Sequence, residues 1–276
     1  MLQGTPGRVR AYYDDHPISE AGVLAALAGH GLVGPPTADD LFEYDQDHYG
    51  GLAAVDTLAR RAGLVARSRV LDLCAGLGGP ARFVASRRGS TVVALELHPG
   101  RATAAARLNR LVKQTGVSVV RADATTLPFA GYTFDACLSQ EALLHIADKP
   151  AVLAECHRVL VPAGRIAFSD WIVFPSLGDR ERERLWEWMA ATSLQTLDGY
   201  RALLGRAGFR AIEVEDLSAE WRTIVRKRLE LHRALRPERE ARLGRRHYVE
   251  HDQLQTYFVQ LIEAGKLGGG RFTATR

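Results

Sequence analysis

Asp72 lies in an apolar run, Val70-Leu71-Asp72-Leu73, that passes directly into Cys74-Ala75-Gly76-Leu77-Gly78-Gly79. Glycines at 76 and 78 let a backbone turn run close to a bound ligand, and the carboxylate just before the turn offers a counter-charge for a cationic amino group. Further along, Glu96, Asp123 and Glu141 each follow an apolar run. Acidic residues at successive strand ends suit a nucleoside cofactor that carries an ammonium group, and S-adenosylmethionine is the first candidate. Glu96 is then placed for the two ribose hydroxyls, and Asp123 with Ala124 for the adenine edge. The same turn also satisfies the G-x-G-x-x-G/A dinucleotide fingerprint, Gly76 through Ala81, with Glu96 about 20 residues on. A pyrophosphate is bound by helix N-terminal N–H groups and has no use for Asp72. An NAD-dependent oxidoreductase is therefore the alternative.

Glu141 and His145 are the candidate catalytic pair. On a helix after the fourth strand, a spacing of four puts both side chains on one face. Methyl transfer is an in-line displacement, so the acceptor atom has to be held near attack geometry and unprotonated. Histidine, with an ordinary pKa of about 6.5, accepts that proton near neutral pH, and a carboxylate favours a cationic amine. Leu97, Gln140 and Tyr49 complete the expected cofactor contacts. Tyr44, His48, Asp170, Trp171 and Trp186 are expected at the acceptor, where an aromatic wall suits a methylated cation. Tyr12, Tyr13 and His16 lie in a segment able to serve as a lid. Glu43, Asp45, Asp47 and His48 match no metal-ligand spacing, and no metal is expected.

The elements that position these residues alternate. A helix over Ile18 to Leu32 breaks at Gly34-Pro35-Pro36, and residues 1–50 read as a helical arm before a domain at 51–276. Strands are expected at Arg69 to Leu73, Thr91 to Leu95, Val117 to Arg121, Ala136 to Ser139, Gly164 to Asp170, Ala211 to Asp216 and Arg271 to Thr275. Helices fall between them, including one over Arg101 to Gln114 and an insertion at about 217–265. The α/β alternation predicts a Rossmann-like, doubly wound, mainly parallel seven-stranded sheet with an antiparallel last strand. Leu254, Tyr257, Phe258, Leu261 and Ile262 share one helical face and read as packing residues.

With 276 residues, 46% of them hydrophobic, the chain can bury one large core. The formal charge of +4 is dispersed, and the densest basic stretch, Arg222 to Arg246, is interleaved with Glu230, Glu238 and Glu240. That pattern is a solvated helical face, not a nucleic-acid site. Three cysteines without C-x-x-C spacing, an N-terminus lacking the apolar core of a signal peptide and no membrane-length apolar run point to a soluble cytoplasmic protein. The expected partner is a small-molecule acceptor, with neither nucleic acid nor membrane; monomer and homodimer both remain open.

The ordered segments Val70 to Gly79, Val92 to Glu96, Arg121 to Ala124, Phe134-Asp135 and Leu160 to Arg165 resemble the motifs of class I S-adenosylmethionine-dependent methyltransferases. Ser139 to Ile146, Leu217 to Trp221 and Gly270 to Thr275 are similar to the phosphoethanolamine and sarcosine/dimethylglycine N-methyltransferase group. The resemblance implies that Gly76 and Gly78 line the methionine portion, that Glu96 binds ribose and that Asp123 contacts adenine. It further implies that His145 is catalytic and that Glu141 replaces an aspartate contacting the substrate amine. Transfer to the nitrogen of a small amine follows, with O- or S-methylation of an aromatic or heterocyclic compound as the alternative. Two departures stand out. Cys74 occupies the place of the family's usual first glycine. Met189-Ala190-Ala191-Thr192-Ser193 replaces the stretch in which the phosphoethanolamine enzymes hold phosphate with an arginine and a tyrosine. Small neutral side chains cannot replace a guanidinium, which disfavours phosphoethanolamine.

Overall fold

The computed structural model describes residues 6–14, 16, 18–29 and 34–276. Seven strands, β1 (Arg69–Leu73), β2 (Thr91–Glu96), β3 (Val117–Arg121), β4 (Phe134–Gln140), β5 (Leu160–Val173), β6 (Arg210–Asp216) and β7 (Leu267–Thr275), form one sheet. Their order is β3-β2-β1-β4-β5-β7-β6. β7 runs antiparallel to both neighbours, and the other pairings are parallel. The expected sheet and its reversed last strand are both present.

Three helices precede the sheet: α1 (Pro6–Asp14), α2 (Glu20–Gly29) and α3 (Ala38–Leu41). The expected continuation of the second to Leu32 lies outside the described residues. α4 (Gly51–Arg61), α5 (Gly79–Arg88), α6 (Pro99–Leu111), α7 (Lys149–Val159), α8 (Asp179–Met189) and α9 (Leu197–Arg206) follow. The insertion comprises α10 (Ser218–Ala234), α11 (Arg236–Leu243) and α12 (Arg245–Glu263). None of the described helices is long and apolar enough to cross a membrane.

Strand alternation divides the core. Val70, Val92, Ala94, Ala136 and Leu138 pack with α4 and α5, whereas Leu71, Leu73, Cys137, Ile166 and Phe168 pack with α7 and α9. Phe258, Leu261 and Ile262 of α12 join Trp171, Trp221 and Tyr49 in a third cluster, and Leu254 and Tyr257 pack against it. The basic stretch is a salt-bridged helical face, with Arg226 on Glu263, Arg233 on Asp252 and Arg236 on Glu240.

β7 begins at Leu267, four residues earlier than the sequence predicts, because glycine is a poor strand former in isolation. The structure supplies the missing packing from outside the strand. The Trp221 ring lies so close that a Cβ on Gly269 would sit 2.3 Å from it. Gly269→Ala is expected to cost about 3 kcal/mol by forcing that fully buried ring aside. The measurement is the urea midpoint at unchanged m-value, and a midpoint equal to the parent's would sink the argument.

Candidate functional site

The C-terminal end of β1 opens into a left-handed turn. Gly76 (φ 58°) and Gly78 (φ 81°) adopt the conformation glycine tolerates, and α5 begins directly after them. Cys74 adopts it too (φ 58°), at a cost of about 1–2 kcal/mol for a residue with a Cβ. The turn is therefore built with glycine geometry even where glycine is missing. Glu96, at the end of β2, holds it in place: Oε2 accepts from Gly76 N at 2.8 Å and Oε1 from His98 N at 2.7 Å. Each oxygen keeps a further lone pair for a ligand hydroxyl. Leu97 follows, half-buried. Asp123 is exposed, and its Oδ1 accepts from both the Thr125 N–H and hydroxyl, while Ala124 is buried beside it.

Asp72 and Gln140 share one small cavity beneath the turn with Val55, Leu58 and Pro80. Both are buried, and among the described residues Asp72 Oδ2 and both amide atoms of Gln140 have no hydrogen-bond partner. Buried polar atoms without partners call for an explanation, and beside a glycine turn a polar ligand supplies one. A carboxylate and an amide suit the amino-acid end of S-adenosylmethionine, so the residues fit that cofactor.

Burial, and then the Glu96 charge, push the Asp72 carboxyl up to about 7 from 3.8. Its folded value exceeds its unfolded one, so ionised Asp72 weakens the unliganded protein at alkaline pH, and the penalty fades as pH falls from about 7 toward 3.8. Asp72→Asn is expected to raise the Tm of the unliganded protein by about 4 °C at pH 8 and by much less at pH 5. It should also weaken S-adenosylhomocysteine binding at least about tenfold. A lowered Tm at pH 8 would contradict this account.

The spacing of Glu141 and His145 predicts one helical face, and the structure corrects this. Glu141 stands in a left-handed turn (φ 50°) after β4, its N–H donating to Ser169 O at 2.8 Å. Only a single 3-10 turn, Leu143–His145, follows. The two side chains nevertheless border one region, the chamber around the Tyr12 ring, which packs 5.8 Å from the His145 ring and against the cluster that contains Tyr49. Glu141 Oε1 accepts from Tyr49 N at 2.8 Å. His145 Nδ1 lies 3.1 Å from Ala190 O, and its Nε2 lies 3.0 Å from the Tyr13 hydroxyl. Since a carbonyl only accepts, Nδ1 carries the proton and Nε2 presents its lone pair. Burial lowers His145 to about 4, so the ring is neutral at pH 7. Burial pushes Glu141 well above the usual carboxylate range. Glu141 and Ala190 (φ 52°), like Cys74, are non-glycine residues in left-handed backbone.

The expected acceptor residues divide. Trp171 is buried against Tyr49, a residue expected at the cofactor, with ring centroids 5.2 Å apart, and Trp221 lies 4.7 Å from Tyr49. Arg228 covers Tyr49 at 4.3 Å and donates to His48 O at 3.0 Å. His48 is lowered to about 4 by burial and the arginine charges. Asp170 is fully buried, with Oδ2 taken by the Tyr200 hydroxyl and Oδ1 left without a partner among the described residues. Tyr44 instead packs against the cluster of Val23, Leu27, Leu41 and Leu108. Trp186 lies beneath Arg8 of α1, 5.5 Å from its guanidinium carbon. Tyr44 lies just past the end of α3 and Trp186 within α8. Sequence reasoning noted Tyr13 only as a lid residue and passed over Arg101, whose guanidinium lies 4.7 Å from the Tyr13 ring centre.

Residues 71–168 match the methyltransferase domain family. A methyltransferase of Streptomyces halstedii, GfsG, is 32% identical over 192 residues, 68% of this chain and 67% of that protein. The glycine/sarcosine/dimethylglycine N-methyltransferase of Actinopolyspora halophila is 34% identical over 175 residues; these span 60% of this chain but only 30% of that enzyme. Among solved structures, Haemonchus contortus phosphoethanolamine N-methyltransferase 2, in complex with phosphomonomethylethanolamine and S-adenosylhomocysteine, superposes with a TM-score of 0.80. It is 21% identical and covers 97% of this chain and 60% of that one, a likeness of fold. With the glycine turn, its acidic strand ends and the reversed last strand in place, the chain belongs to the class I S-adenosylmethionine-dependent methyltransferases.

Proposed function

We propose that the chain methylates the nitrogen of a small amine. The observation that carries this is Glu141, a half-buried carboxyl held by one backbone N–H and forming no ion pair among the described residues. Burial keeps it protonated until a cation arrives, and an ammonium beside it restores the charged form. Tyr49, Trp171 and Trp221 form an aromatic wall in the same chamber, which favours alkylated ammonium groups. The glycine/sarcosine/dimethylglycine relative supports the same acceptor class.

The cofactor, held through Asp72, Gly76, Glu96, Asp123 and Gln140, supplies an electrophilic methyl on a sulfonium. This chain's residues do the rest. Glu141 draws in the ammonium form, and His145 Nε2 accepts the proton the amine must lose before its lone pair can attack. Tyr13 covers the histidine and excludes water. The 189–193 stretch is already committed to shaping this chamber: Ala190 O holds His145, while Thr192 N and Ser193 N both donate to Leu144 O. That leaves it without a phosphate-binding role and favours an unphosphorylated amine.

A hydroxyl acceptor is the second reading, because the Tyr13 hydroxyl on His145 Nε2 already stands as a hydroxyl would. Labelled-methyl transfer to glycine, sarcosine, dimethylglycine and ethanolamine, run beside phenols and alcohols, separates the two. Amine methylation, with Glu141→Gln raising KM for the amine about tenfold and kcat changing less, is expected. Transfer to hydroxyls alone would reject the amine reading.

A further inference from the structure

We infer that Arg101 binds the carboxylate at the amino-acid end of S-adenosylmethionine. The inference rests on the family's cofactor and not on the acceptor proposed above. Arg101 lies in the first turn of α6, yet its side chain reaches back over the glycine turn: Nη2 is 2.8 Å from where a Cβ on Gly76 would stand. The Tyr13 ring covers the guanidinium at 4.7 Å, and Nη1 donates to Ile18 O at 3.2 Å. A guanidinium has five N–H groups, and among the described residues no carboxylate pairs with this one. Neighbouring buried or half-buried arginines are paired: Arg82 with Asp45 at 2.8 Å and Arg228 with Asp47 at 3.1 Å.

A half-buried guanidinium at a ligand-binding turn therefore lacks an anion. The cofactor carries one anionic group, the carboxylate, on the same carbon as the ammonium that Asp72 awaits. Asp72 lies in the strand that leads into the turn and Arg101 lies over Gly76 within it, opposite charges that complement a zwitterion. Arg101 also lies within electrostatic reach of the acceptor side, where its charge adds to burial in lowering His16, His48 and His145. Through Tyr13, whose hydroxyl meets His145, the same side chain joins the cofactor seat to the acceptor chamber.

The test is calorimetric titration with S-adenosylhomocysteine and with its decarboxylated analogue, which keeps the ammonium. The parent protein is expected to bind S-adenosylhomocysteine at least about tenfold more tightly than the analogue. Arg101→Met should remove that difference by weakening S-adenosylhomocysteine alone. Equal weakening of both ligands by Arg101→Met would overturn the inference, because the arginine would then act through the fold. A parent protein that does not distinguish the two ligands would also overturn it, and that comparison needs no variant. Binding of the analogue to the parent keeps this failure apart from a failure of the cofactor assignment.

Discussion

His145→Ala is expected to lower methyl-transfer turnover by about two to four orders of magnitude while leaving S-adenosylhomocysteine affinity within about threefold of the parent. The asymmetry follows from what the imidazole touches. Its Nδ1 is fixed by Ala190 O and its Nε2 faces Tyr13, whereas on the cofactor side Glu96 accepts from Gly76 N and His98 N and Asp72 Oδ2 has no partner among the described residues. At about 4, its pKa leaves Nε2 unprotonated at neutral pH, so alanine removes an available base and not a charge. Tyr13→Phe is a milder companion: it keeps the ring over Arg101 and deletes the hydroxyl on Nε2, so turnover should fall by less than in His145→Ala. Steady-state kinetics and calorimetry on the same preparations decide the matter. Parallel loss of turnover and affinity in His145→Ala would mean that the ring holds the 3-10 turn together and has no part in the reaction.

The sheet was legible because its signals are local. Asp72 and Glu96 lie within apolar runs of strand length, each followed at once by turn or helix-start residues, and period alone places them at the ligand-binding edge. The chamber was legible in identity but not in geometry. Glu141 and His145 are both there, yet the spacing rule that paired them assumes a helix, and the chain leaves β4 through a left-handed residue and one 3-10 turn. Arg101 looked like one more dispersed cation on α6. Its role depends on Tyr13 and Ile18, more than 80 residues away in sequence, and no local pattern encodes that contact. The last strand is expected only from Arg271 for the same reason, since Ser218 and Trp221, which pack on Gly268 and Gly269, belong to another element.

Arg82→Met is expected to cost about 3–5 kcal/mol, because it strands a buried carboxylate. Both side chains of the Arg82–Asp45 pair are 0% exposed, with Nη2 2.8 Å from Asp45 Oδ2. Arg82 also donates to Asn109 Oδ1 at 2.8 Å and to Leu77 O at 2.6 Å, tying α6 and the glycine turn to α5. Gly79 leaves the space the carboxylate occupies, since a Cβ there would sit 2.4 Å from Asp45 Oδ1. Burial raises the Asp45 carboxyl even with the arginine beside it, which shows how much the pair's environment disfavours an unpaired charge. Asp45 lies four residues before Tyr49, whose N–H holds Glu141, so the ion pair also sets the segment that positions the acceptor site. Adding Asp45→Leu to Arg82→Met should therefore recover most of the stability, as apolar replacements of buried pairs often do, without recovering turnover. Urea denaturation of the two variants gives the first comparison and methyl-transfer rates the second. A single variant that loses less than about 1 kcal/mol would show that packing around Leu77 and Asn109, and not the ion pair, holds the segment.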